Sequence, residues 1–446
     1  MVSTSRTTSL TGRLTRLGFS DVARATQLCG DRDLTAVVGE VQPSSALLPA
    51  LAATADPDLA LIALIRLCCA ATVDPDHAQR AALLGRLLSG DTEGIDAVHL
   101  APDEQLVRDR LLGVLGASVA LGDELVRHPE LLDVVSDTTS GVGVDVTLVR
   151  AELLRAVGAD PEADVPVAGM PEVDATDAMR RAYRARLLRI AASDLTSPEP
   201  LSILPAVAAA LADLASAALE AALAVARGEL PDHGAGVRLS VLGMGKCGGR
   251  ELNYVSDVDV VYVAEPTEGT DESDAMTAGA KLATILTRVC GGGPSSVPPL
   301  WPVDAALRPE GKNGPLVRTL SSHVSYYERW AKTWEFQALL KARHVAGDVE
   351  LSKAYTDAIT PLVWSAVERE NFVEDSQAMR RRVEDNVPAA EADRQLKLGK
   401  GGLRDVEFTV QLLQLVHGRS DPSILSSNTL TALAALASAG YVGREH

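Results

Sequence analysis

Asp257 and Asp259, in Ser256-Asp257-Val258-Asp259, stand at the head of an apolar, β-branched run, VDVVYVAE from Val258 to Glu265. In a strand alternate side chains share a face, so the two carboxylates sit side by side at its mouth. Adjacent anionic oxygens repel unless a cation lies between them. Hard oxygen donors at this spacing suit Mg²⁺, which takes one or two carboxylates and fills its shell with water and substrate phosphate. A glycine-rich turn precedes the pair: Gly243, Gly245, Gly248 and Gly249 let backbone N–H groups come close to phosphate oxygens, and Lys246 adds a point charge. With Ser256 at the strand entry, this reads as a site for phosphoryl or nucleotidyl transfer. The plain alternative is a solvated strand entry behind a tight turn.

Two other phosphate motifs are excluded by context. Gly243, Gly245 and Gly248 satisfy G-x-G-x-x-G after a strand, but a dinucleotide-binding crossover needs a dozen or more residues to return to a parallel strand. Only the short segment 249–256 separates Gly248 from Asp257. The strands on either side are therefore expected to be antiparallel neighbours, joined by a glycine turn with one helical turn. A Walker loop fails because Lys246 is followed by Cys247 rather than Ser or Thr, and Ser240 stands where the opening glycine belongs.

The elements that position these residues follow from the pattern. VRLSVLG, Val237 to Gly243, reads as the strand before the turn, and WPVDAAL, Trp301 to Leu307, as a third strand. The residues before about 230 read as helical almost throughout, except for a Gly- and Pro-punctuated interval from Ser136 to Asp174 expected to be an interdomain crossing or long loop. Helices return from about Ser321. The fold class is α+β, predominantly helical: a small mixed sheet with flanking helices, between a helical N-terminal region and a C-terminal helical bundle. The expected division is 1–180, 181–350 and 351–446. The chain stops soon after an Ala/Leu helix, which suggests a piece of a longer protein.

Composition narrows the partners. With 42 basic and 60 acidic residues among 446, the net charge is -18, and a phosphate backbone is repelled by most of such a surface. Nucleic acid is a poor partner; a small or protein-attached nucleotide is a better one. Five cysteines without zinc or C-x-x-C spacing fit a reducing cytoplasm. The most apolar runs, Leu59 to Val73 and Ala206 to Ala226, contain Arg66 and, in the second, Asp213 and Glu220. They read as core helices rather than membrane spans.

The string GMGKCGGRELNYVSDVD, Gly243 to Asp259, resembles the signature of the polymerase-β-like nucleotidyltransferase domain in glutamine synthetase adenylyltransferases. VDAALRPEGKNGPLV (Val303 to Val317), WEFQALLKARHVAGD (Trp334 to Asp348) and KLGKGGLRDVEF (Lys397 to Phe408) resemble further segments of the same family. The resemblance implies that Asp304 is the third metal carboxylate. Two ions about 3.5 to 4 Å apart need ligands from both sides, and Asp304 would close the set. Arg308 and Lys312 have the charge to hold phosphate oxygens, Arg in a bidentate fork, with a solvated loop cation the equal alternative for Lys312. Lys341 and Arg343, on a helix expected to end near Gly347, either reach the nucleotide or face solvent. Lys397, Lys400 and Arg404 flank Gly399, Gly401 and Gly402, read first as a structural junction and second as an anion site.

Such families carry two of these domains in one long chain, one attaching AMP to a tyrosine of glutamine synthetase and one removing it. The long helical lead and the E-L-N-x-x-S-D wording resemble the N-terminal, adenylyl-removing half. The implied reaction is phosphorolysis of adenylylated glutamine synthetase, giving ADP, with a PII-type signal protein as a further partner. Two alternatives stay open: ATP-dependent transfer in the forward direction, and a noncatalytic regulatory module.

Overall fold

A computed structural model of the chain describes residues 9–73, 78–89, 100–139, 141–230, 232, 234–369, 372–385, 387–388 and 394–443. The chain forms two compact units, one of residues 1–144 with 184–207 and one of 145–183 with 208–446. This differs from the three-way division expected at 180 and 350. Residues 351–446 share a unit with the sheet, and so do 145–180.

The first unit is helical. Among its described residues are α1 (Leu10–Arg16) to α9 (Leu132–Ser136), and helices on both sides of α5 (Pro57–Val73) in sequence pack on that helix, whose Leu61, Leu64, Leu67 and Cys68 are completely buried. A helix apolar on most of its circumference belongs inside a core, and α5 is the apolar run expected there.

In the second unit the interval expected as a loop contains α10 (Val146–Ala156), started by Asp145, whose side chain accepts from the Thr147 N–H at 2.9 Å. This cap outweighs the glycines and prolines around it. It is followed by α11 (Glu172–Leu195) and α12 (Pro200–Gly228), helices within which the division into units falls. From Leu211 to Ala226 α12 is buried almost without interruption. Its acids are paired: Asp213 with Arg250 at 2.5 Å, and Glu220 accepting from the Gly347 N–H at 2.7 Å.

The sheet follows. β1 (Val237–Gly243) and β2 (Val258–Pro266) are antiparallel, joined by one helical turn, α13 (Gly245–Gly248), as the short spacing requires. After α14 (Glu272–Gly291) come β3 (Val303–Asp304) and β4 (Val317–Arg318), both parallel to β2. β3 is shorter than the Trp301 to Leu307 strand expected. Next are α15 (Leu320–Arg329) and α16 (Thr333–Leu339), then β5 (Arg343–Gly347), antiparallel to β1 with an irregularity between Val241 and Leu242. The helix expected to run to Gly347 stops at Leu339: pairing with β1 overrides the helical pattern of the preceding residues. The strand order is β3-β2-β1-β5, with β4 also on β2.

α14 packs on one face, and α15 and α17 (Val349–Ser365) on the other with α16. Leu242, Val261 and Val263 point into the second face's core with Tyr327, Phe336 and Tyr355. Asp259 has the same strand parity as Val261 and Val263 and so faces that side. The chain continues through α18 (Phe372–Asp385), α19 (Leu403–His417) and α20 (Thr429–Ser438).

Candidate functional site

Register assembles the carboxylates. Asp259 and Asp304 are direct partners in the parallel pairing of β2 and β3, and Asp257 lies two residues before Asp259 on the same side. One carboxylate oxygen from each of Asp257, Asp259 and Asp304 falls within 4.8 Å of the others. Asp304 is fixed by the Ala306 N–H, which donates to its Oδ1 at 2.7 Å. Upstream of β3, Arg180 of α11 is buried and donates to the carbonyls of Val289 and Val297, each at 2.8 Å. Asp177 accepts from the Ser296 N–H at 3.0 Å, and the Trp301 indole donates to Tyr183 Oη at 3.0 Å. A helix over a hundred residues upstream in sequence thus holds the segment that delivers Asp304.

The turn fits against the same cluster. Met244 N–H donates to the Asp259 carbonyl at 2.8 Å, and Gly245, with φ of 52°, lies where a Cβ would strike the Asp259 carboxylate. Gly248 is pressed onto the Lys341 carbonyl, so only glycine fits there. Gly243, Gly248 and Gly249 are buried packing positions, Gly243 within the sheet and Gly249 beneath the Ser427 carbonyl. Among the predicted phosphate-binding residues, Gly245 and Lys341 line a cavity with Asp259, while Lys246 and Ser256 line one with Asp257.

The other predicted cations are placed differently. The guanidinium of Arg308 donates to the carbonyls of Ala305 (2.7 Å), Gly314 and Pro315 (both 3.1 Å), so it organises its own loop rather than presenting a free fork. Arg343 donates to the carbonyls of Cys247 (2.9 Å) and Gly248 (3.2 Å) and braces the glycine turn. Lys341 is buried, paired with Glu251 and with Glu407 at 2.8 Å. Lys312 is exposed in a 3-10 turn, Gly311–Asn313. Glu251 also accepts from the Thr429 N–H at 2.8 Å, so the acidic residue of the G-G-R-E-L-N string docks the start of α20 on the turn.

Two cations read first as junction residues are brought to the site. Lys397 lines the cavity that holds Lys246, Asn253 and Asp257, and Arg404 lines the one that holds Gly245 and Asp259. Lys400 is exposed in the glycine turn beside them. That turn is clamped by Arg380, which binds Asp405 and donates to the Gly399 carbonyl at 3.1 Å. The glycine-lysine wording of KLGKGGLR was the available signal; their distance in sequence from Asp257 hid it.

The electrostatics are uneven. Burial, then Asp257 and Asp304, push the Asp259 carboxyl up to about 6. Burial, and the positive charges of Lys397 and Arg404, lower Lys246. Burial works against ionisation of Glu407, but Lys341, with Arg404 and Lys246 beyond, holds its carboxyl below the usual range. Among the described residues the three carboxylates converge without an ion pair to a side-chain cation, although Lys246, Lys397 and Arg404 lie in the adjoining cavities; such a set of hard oxygen donors fits Mg²⁺. Three histidines serve packing and hydrogen bonding: His344 Nδ1 meets Ser352 Oγ at 2.7 Å, His417 stacks on Tyr441, and His323 is enclosed by Tyr327 and Tyr355.

Residues 108–358 match the family described as glutamate-ammonia ligase adenylyltransferase, more than half of the chain. The chain belongs to that family. It is 50% identical over its whole length to the bifunctional glutamine synthetase adenylyltransferase/adenylyl-removing enzyme of Streptomyces avermitilis, and 50% identical over 98% of its length to that of Streptomyces coelicolor. A relative with the same name from Bifidobacterium longum is 46% identical over 97% of the chain. The chain spans about 40% of the length of the two Streptomyces relatives and corresponds to their N-terminal part. Residues 377–446 of this adenylyltransferase-family chain match a second family, described as GlnD PII-uridylyltransferase. The second match lies within the second unit, the one that carries the carboxylates, and the first covers residues of both units.

Proposed function

We propose that this chain removes the adenylyl group from a tyrosine of glutamine synthetase by phosphorolysis, with Asp257, Asp259 and Asp304 as the catalytic carboxylates. The convergence of these three on neighbouring strands is the observation that carries the reading. The direction is supported by correspondence to the N-terminal part of relatives named for both adenylyl transfer and adenylyl removal. Mg²⁺ at the three aspartates, two ions by the family resemblance, would offset charge on the incoming phosphate and the adenylyl group. An oxygen of inorganic phosphate forms a bond to the adenylyl phosphorus, the bond to the tyrosine oxygen breaks, and ADP and a free tyrosine result. A phenol has a pKa of about 10, so phenolate is a feasible leaving group for this attack.

The chain's own residues hold the charges in place. Lys246 and Lys397, on one side of Asp257, are positioned for oxygens of the incoming phosphate, and Arg404 for the adenylyl phosphate beside Asp259. Arg343, Arg308 and Arg380 keep the loops that carry these groups in shape. A PII-type signal protein as regulatory partner is supported by the match of residues 377–446, and a cytoplasmic setting by five free thiols.

The forward reaction would use the same carboxylates, and the relatives' bifunctional name favours testing it alongside. Incubation of the chain with adenylylated glutamine synthetase and phosphate is expected to release ADP. Appearance of AMP on unmodified synthetase with ATP, and no ADP with phosphate, would reverse the assignment.

A further inference from the structure

The same face of the sheet opens beside the carboxylates into a cavity of about 180 Å³ lined by Gly245, Asp259, Trp334, Gln337, Phe408 and Gln411. Lys341, Arg404 and Glu407 also line it, but unlike the rim around Lys246 and Lys397 it adds two aromatic rings and two amides behind Asp259. Gln337 is 3% exposed, and among the described residues its side-chain amide has no hydrogen-bond partner. Its amide opens onto the cavity it lines, so its donor and acceptor are available to a group placed there. Gln411, 5% exposed, is only loosely engaged, its Nε2 lying 3.5 Å from Glu407 Oε1. Gln337 is held in place by its backbone on α16, between the buried Phe336 and Leu339.

We propose that this cavity receives the nucleobase of the adenylyl group and that Gln337 selects adenine. The inference rests on the adenylyl-removal reading for the identity of the group and deepens it by naming what reads the base. Once the phosphate is held at Asp257, Asp259 and Asp304, the ribose and base must extend away from it, and this cavity opens directly from Asp259. The flat base lies against the Trp334 indole, which supplies apolar contact area. A glutamine amide offers one donor and one acceptor side by side, the complement of the adenine 6-amino group and N7. A purine with a carbonyl in place of the amino group sets oxygen against oxygen and leaves the buried amide half satisfied. Lys341 does not compete for the base, because Glu251 and Glu407 already engage its ammonium.

The test is calorimetric titration of the full chain in Mg²⁺ with ADP and with inosine diphosphate, comparing the unaltered protein with Gln337→Leu. ADP is expected to bind about tenfold or more tightly than inosine diphosphate to the unaltered protein, in line with a bidentate amide contact. In Gln337→Leu the ratio is expected to fall to about one by loss of ADP affinity, with Mn²⁺ binding at the carboxylates unchanged. Gln337→Glu, nearly isosteric, keeps an acceptor and loses the donor, so it too should lose the preference for ADP; it supplies the answer if the leucine variant does not fold. A ratio near one in the unaltered protein, or a ratio untouched by both substitutions, overturns the assignment of Gln337. Failure of the adenylyl-removal reading leaves a different mark: phosphate releases no ADP from adenylylated synthetase while the ADP preference persists.

Discussion

Across one cavity the second unit holds two charge clusters of opposite design. Asp257, Asp259 and Asp304 face one another with like charge, whereas Lys341 is enclosed by Glu251 and Glu407. In the first, Lys397 and Arg404 only partly offset the like charges, and Asp259 is pushed up to about 6 by burial and its neighbours. The second is balanced, and it fastens the glycine turn to α19 and α20. A cluster of like charges marks where an external charge fits; a paired one marks structure. Charge by itself does not separate the two, since Lys341 and Lys246 look equally functional in the sequence.

Replacing two members of the unbalanced cluster, Asp257→Asn with Asp259→Asn, should reduce ADP release by about a thousandfold or more, since the site loses most of its metal ligands. Retention of turnover within tenfold would place the chemistry elsewhere. Breaking the balanced cluster with Lys341→Met should instead cost about 3 kcal/mol of stability, because Glu251 and Glu407 are left without their shared cation. Chemical denaturation reads this directly, and an unchanged midpoint would mean that the pair is not structural.

The third contrast concerns pH in the metal-free protein. A carboxyl raised in the folded state costs stability once it must ionise: the cost is absent below its unfolded value near 4 and fully present above about 6. Asp259→Asn should therefore stabilise the metal-free chain at pH 7.5, by up to about 3 kcal/mol, with the gain fading toward pH 4. A gain independent of pH would show that ionisation is not its source. The smallest effect belongs to Lys312→Ala, an exposed cation outside both clusters: ADP release should change by less than about twofold. A larger loss in steady-state rate would bring Lys312 back among the phosphate ligands.

Much of the site was legible because it is local. Asp257 and Asp259 are two residues apart on a strand whose apolar pattern announces it, and the short spacing from Gly248 required the antiparallel hairpin that β1 and β2 form. β4 and β5 were hidden for a physical reason: Val317–Arg318 is too short to carry a pattern, and Arg343–Gly347 follows a helical sequence and becomes a strand by pairing with β1. α10 was hidden among glycines and prolines although its Asp145 cap was in plain view.

The resemblance supplied Asp304 on an expected neighbouring strand but not its register; the parallel pairing of β2 and β3, held by Arg180 and Asp177 of α11, sets it beside Asp259. Tertiary structure also turned Arg308 and Arg343 toward carbonyls, paired Lys341, and brought Lys397 and Arg404 to the carboxylates. Sequence determines which side chains share a strand face, because that follows from backbone geometry over two or three residues. Which partner a long cation meets depends on groups tens to hundreds of residues away, and only the packed chain decides it.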